Sequence, residues 1–258
     1  MGLAPAVGPV PPDLRPVSTR RAGRDAELDP SIVAAVLALA RPALELAVLE
    51  DWEHEDDEIA DGGRYAGSYG GLPRLPPGVD WPAVGGEPLT LLAQLRCDAL
   101  AGLLGAEWTL PRDGLLLFFA AVWRDEPDAG RVLHVPDAAP VQQAPEHAEV
   151  VPAQPLGAWP VRSVPELDDP ALRTLLHATG PALIDVLRAL APEHTPHQVL
   201  GRLGDGYHPQ RPGTRPLLQL EGEEGTAWGE LVRLAFVVPD DDLRQGRLDR
   251  VRMTYEVA

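Results

Sequence analysis

Apolar and polar positions along this chain follow two periods, and the switches between them mark out its elements. After Asp29-Pro30, a capping residue followed by proline at the first helical position, Ile32, Val36, Leu37 and Leu39 recur at helical spacing. Arg41-Pro42 should end that helix, because the residue before a proline is driven out of the helical region. Ala43–Leu49 alternates as a strand does. Pro88–Leu95 and Gly114–Val122 are near-continuous apolar runs and read as buried strands, with Arg131–Val135 as another. Asp169-Pro170 and Gly180-Pro181 start two helices, striped by Leu172, Leu175 and Leu176, then by Leu183, Leu187 and Leu190. Strands return at Pro216–Leu220, Leu231–Val238 and Val251–Val257. Between Asp61 and Pro82, glycine and proline are so dense that an ordered loop, neither helix nor central strand, is expected.

The order of these features recurs. A glycine-rich loop at Gly70–Trp81, the LLAQL strand with Gln94, then Gly114 to Phe118, is echoed by Gly201–Gln210, the PLLQL strand with Gln219, then Trp228-Gly229 to Phe236. The predicted fold class is therefore α+β, with duplicated strand-rich repeats over about 43–135 and 194–258. A helical, proline-rich connector over about 136–193 joins them in a single domain spanning 29–258. Residues 1–28, with five prolines and four arginines, read as a proline-rich arm.

Charge narrows the partners. Twenty-two basic residues against 39 acidic ones leave a net charge of −17. Such a field repels phosphate backbones and predicts no nucleic-acid partner. Every basic residue is arginine, and neither lysine nor asparagine occurs, which excludes Schiff-base and P-loop lysines and N-glycosylation. One cysteine, Cys97, allows no internal disulfide. No apolar run is long enough for a membrane helix and the start lacks a signal-peptide pattern, so a cytoplasmic protein without membrane contact is predicted.

Several segments together resemble the YwqG-like family of bacterial proteins. They are Ser68-x-Gly70-Gly71-x-Pro73-x-Leu75-Pro76, Trp81-Pro82, Pro88-Leu89, Leu91–Leu95, Gly114–Phe119, His197 ahead of Gly201, Leu217–Leu220, Trp228-Gly229-Glu230 and Asp242-Leu243. The resemblance spans about residues 40–258 and implies a duplicated α+β fold. It carries almost no chemistry, because that family is a domain of unknown function. Its members' suspected roles in toxin immunity or partner binding are what the likeness adds.

Two functional readings stay open. In the first, the chain binds a basic protein or peptide without catalysis. Residues Glu50–Asp61 carry eight acids among twelve positions, and Trp52, set among Glu53, Glu55, Asp56 and Asp57, supplies an apolar anchor in an acidic field. Trp81 and Trp228 are the other indoles assigned to that surface. In the second reading, an enzyme or small-molecule binder works at the seam between the repeats, using Gln94, Gln219, His197 and Glu230. Buried amides inside apolar strands need partners, and the two glutamines would line a shared cleft. His194, His197 and His208 are the residues a metal would use, but Pro196 breaks the helical spacing of the first two, so no metal or cofactor is predicted. Ala66-Gly67-Ser68-Tyr69-Gly70 imitates a nucleophile elbow, yet the prolines that follow forbid the required helix.

Overall fold

The computed structural model describes residues 29–49, 58–121, 130–165, 167, 169–190, 197–203, 213–222 and 232–257. In chain order the elements are α1 (Pro30–Leu39), β1 (Arg41–Val48), β2 (Glu58–Ile59), β3 (Gly63–Tyr69), β4 (Ala83–Val84), β5 (Glu87–Pro88), β6 (Thr90–Arg96), α2 (Cys97–Leu104), β7 (Leu115–Ala120), β8 (Gly130–Val135), β9 (Gln154–Ser163), α3 (Pro170–Thr179), α4 (Ala182–Leu190), β10 (His197–Leu200), β11 (Thr214–Glu221), β12 (Val232–Pro239), α5 (Asp240–Arg244) and β13 (Arg252–Val257).

One antiparallel sheet dominates. Its strand order is β13-β12-β11-β10-β1-β9-β3-β6-β7-β8, with β2 appended to β3. The sheet curls until its end strands, β8 and β13, touch, which makes a nearly closed barrel. This corrects the α+β expectation: the fold is mostly β. It also replaces two repeats and a helical connector with one continuous sheet. The stretch expected to be a proline-rich connector contributes β9, which pairs with β1 on one side and β3 on the other. Prolines are tolerated there because each lies where only one neighbour is in register. Pro160 is beyond the span paired with β3, and Pro155 is beyond the span paired with β1.

The expected glycine-rich loop likewise yields β3, a central strand. Gly67 explains how: its φ is +129°, and a Cβ there would overlap the Gln94 carbonyl oxygen of β6. Only glycine lets the two backbones approach that closely. The register with β9 shifts between Tyr65 and Gly67, as it does at a bulge.

The core follows from strand alternation. In β7, Leu116, Phe118 and Ala120 face the barrel interior with Leu44, Leu46, Leu95, Leu218 and Phe236. Leu115, Leu117 and Phe119 face outward into a second cluster with Leu75, Trp81, Leu89 and Leu91. Burial on both faces is why β7 is an unbroken apolar run. Helix α2 joins Cys97, Leu100 and Leu104 to the interior cluster. Helices α1, α3 and α4 bury Ile32, Val36, Leu172, Leu183 and Val186 against one another. The side chains of Asp29 and Asp169 cap α1 and α3 by accepting from backbone amides of the first turn. Among the described residues, no helix is long and apolar enough to cross a membrane.

Candidate functional site

Gln94 and Gln219 do not meet. They stand on β6 and β11, with β10, β1, β9 and β3 between them along the sheet and β7, β8, β13 and β12 between them the other way. The space enclosed by those strands is filled by the apolar interior cluster. Each amide has a local setting instead. Gln94 lies opposite Ser68 and Leu117, and its Oε1 accepts from the backbone N–H of Arg74 at 2.9 Å, which ties the 70–76 loop to the sheet. Gln219 is 3% exposed and lies opposite Gln198 and Ala235.

His197 is also buried. It pairs with Leu46 across the β1–β10 ladder, its ring centroid is 6.1 Å from that of Tyr69, and its Nδ1 accepts from the Glu221 N–H at 3.2 Å. That bond places the neutral ring's proton on Nε2. His194, His208, Glu230, Trp228, Trp52, Glu53, Glu55, Asp56 and Asp57 lie outside the described residues. Among the described residues, no three His, Cys, Asp or Glu side chains are grouped to hold a metal ion.

Trp81, expected on a binding surface, is a packing residue. Its indole N–H donates to the Leu89 carbonyl at 2.8 Å, its ring meets Phe119 edge-on with centroids 5.9 Å apart, and it belongs to the outer apolar cluster. Ser68 is buried as well, with its hydroxyl 3.5 Å from the Gly70 carbonyl. Cys97 has a thiol pushed up to about 12 by burial, then by Asp137, Asp113 and Asp98. A thiol so held is protonated at neutral pH and is no nucleophile.

The structure does assemble a polar row that sequence reading missed. Glu45 of β1 lies opposite Gln198 of β10, and Gln198 lies opposite Gln219 of β11; on its other side Glu45 is opposite Trp159 of β9. Burial raises the Glu45 carboxyl above the ordinary range. Gln198 donates from Nε2 to the carbonyls of Leu200 and Arg202, each at 2.9 Å. These two hydrogen bonds fix a turn in which Leu200 and Gly201 both have positive φ, 60° and 76°. Side-chain bulk at Gly201 would fall 2.7 Å from the Gln198 amide and 2.8 Å from Ala43 and Ser163.

Arg202 continues from this turn. Its guanidinium donates to the Leu39 carbonyl at the end of α1 (3.0 Å) and to the Asp169 carboxylate that caps α3 (3.1 Å), while its backbone N–H reaches Ser163 Oγ (3.1 Å). Arg41, on the same face of β1 as Glu45, is lowered from the ordinary arginine range by burial and then by Arg202 and Arg215. The signal in the sequence was present: Arg41, Ala43 and Glu45 alternate with apolar residues, and Gln198 follows His197 in a four-residue strand. What no pattern revealed was the pairing of β1 with β10.

Among the described residues, the interior of this sheet-dominated barrel is packed with apolar side chains. Residues 68–256 match a family described as a domain of unknown function (DUF1963), and the chain belongs to that family. No curated protein matches the chain.

Proposed function

We propose that this protein acts by binding a basic protein partner, without catalysis, through the acidic stretch around Trp52. The observation that carries the reading is the placement of charge. Eight of the twelve residues from Glu50 to Asp61 are acidic, and the stretch runs directly out of β1 and into β2, two strands of one rigid sheet. A charged segment that connects two scaffold strands in sequence is a common source of a recognition surface. Long-range attraction then speeds encounter, and an indole supplies the desolvated anchor. Packing supports the reading too, since among the described residues apolar side chains pack the barrel interior. Neutralisation of a basic toxin is the instance that the likeness to YwqG-like proteins adds.

The test is capture from lysate of the source organism, followed by reconstitution with the recovered partner. The variant carries Trp52→Ala with Glu53→Gln, Glu55→Gln, Asp56→Asn and Asp57→Asn. A stoichiometric basic partner should bind the wild type, weaken steeply from roughly 0.05 to 0.5 M salt, and fail to bind the variant. A complex equally strong in both proteins and at both salt concentrations removes the acidic stretch from the account.

A further inference from the structure

Two buried donors meet at one serine where β1 begins. Arg41 lies opposite Ser163 in the β1–β9 ladder, and the hydroxyl of Ser163 accepts from the Arg202 backbone N–H at 3.1 Å. The two arginines therefore flank Ser163 from different elements. Arg41 Nη1 and Arg202 Nε are both shielded from water, and neither has a hydrogen-bond partner among the described residues. A buried donor left unmet is costly, more so on a charged group, and two in one place call for an acceptor between them.

The neighbouring acceptors are already engaged. Asp169 uses one carboxylate oxygen to cap α3 and the other for Arg202 Nη1, at 3.1 Å. The Leu39 carbonyl takes Arg202 Nη2 at 3.0 Å. Asp240 is paired with Arg215 at 2.6 Å. Those two ion pairs match Arg202 and Arg215 one for one, which leaves Arg41 as a third guanidinium beside two carboxylates. Burial, then Arg202 and Arg215, outweigh Asp240 and Asp169 and lower Arg41 from the ordinary arginine range. A water could accept from both nitrogens, but its own two protons would then need acceptors in the same enclosure. An anion accepts without donating, and it balances the third guanidinium.

We propose that the enclosure between Arg41 and Arg202, beneath the end of α1 and the start of α3, binds one small inorganic anion of halide size, which accepts from Arg41 Nη1 and Arg202 Nε together. Because both nitrogens are shielded from water, the guest is a compact ion and not a nucleotide or a partner's side chain. Such an ion ties the first residue of β1 to the turn after β10, so its binding should stabilise the fold.

The probe is chloride, followed by the line width of its own NMR signal as the salt is titrated into the full chain. Sodium gluconate, whose anion is too large to enter, keeps the ionic strength constant. Saturable broadening is expected, reversed by bromide and matched by a rise in melting temperature that gluconate alone does not give. Arg41→Gln should weaken chloride binding by at least about tenfold. Arg202→Lys keeps the charge but removes the Nε donor; it should weaken binding to a similar degree, and it serves if Arg41→Gln fails to fold. Line widths equal to those of the free ion, as an enclosed water would give, or equal chloride affinity in wild type and variants, would overturn the assignment.

Discussion

Phe118 of β7 and Phe236 of β12 meet edge-on inside the barrel, their ring centroids 5.2 Å apart at an interplanar angle of 68°. The two strands belong to opposite ends of the sheet order, so this contact couples the ends where no ladder does. Both rings are fully buried. Phe118→Ala and Phe236→Ala should each lower stability by about 3–5 kcal/mol. In a double-mutant cycle by urea unfolding, the pair should show a coupling of about 0.5–1.5 kcal/mol beyond simple burial. Additive losses would mean that the rings merely fill space independently.

Cys97 makes stability depend on alkaline pH. Its thiol sits near 12 in the folded protein against an ordinary value of 9.0. The unfolded chain therefore loses this proton first, and the stability held by the neutral thiol is intact below about pH 9 and declines between about pH 9 and 12. Cys97→Ala should remove that part of the decline, measured as urea midpoints across the interval. In the native protein at about pH 8, a thiol reagent should react only at the rate of unfolding.

Glu45 presents the same linkage at the acid end. Burial raises its folded value, so its neutral form is the one the fold prefers. The stability this group contributes is complete below its unfolded value and is lost as pH rises through the folded one. Glu45→Gln should consequently raise the melting temperature at neutral pH and leave it unchanged in acid, where the native carboxyl is already protonated. A variant less stable at neutral pH would show that the ionised carboxylate has a structural partner.

At Gly67, Ala should be far worse than at Gly78. Both have positive φ, but Gly78 faces open space while Gly67 abuts the Gln94 carbonyl. Gly78→Ala should cost about 1 kcal/mol from backbone conformation alone. Gly67→Ala adds a clash between two central strands to about 1–3 kcal/mol of backbone strain, enough to remove most soluble expression. Comparable soluble yields of the two variants would contradict the close approach of β3 to β6.

The elements that were legible in advance were those with a strong period or a strong cap. The Asp-Pro starts at Asp29 and Asp169 became α1 and α3, and the apolar runs around Leu92, Phe118 and Phe236 became β6, β7 and β12. β3 and β9 were hidden because glycine and proline, normally breakers, serve here at positions of close approach and of one-sided pairing. The eight-residue helix α2 lies between two recognised strands and carried no capping side chain to announce it. Of the candidate site, Gln219 was visible as an amide inside an apolar strand, and it lies opposite Gln198; His197, expected only as a metal or seam ligand, stands one residue before Gln198 in a strand the pattern did not announce. Glu45 joined them only through a long-range pairing, which local pattern does not encode.

The position of β1 has a consequence for biosynthesis. This strand ends at Val48, yet its partners are β9, which begins at Gln154, and β10, which begins at His197. A ribosome releases β1 long before either neighbour exists, so both of its hydrogen-bonding edges stay unpaired through most of translation. Folding must wait for a late, long-range closure, the slow regime in which exposed strand edges invite aggregation. Truncation before Leu200 strips the central strand of one partner.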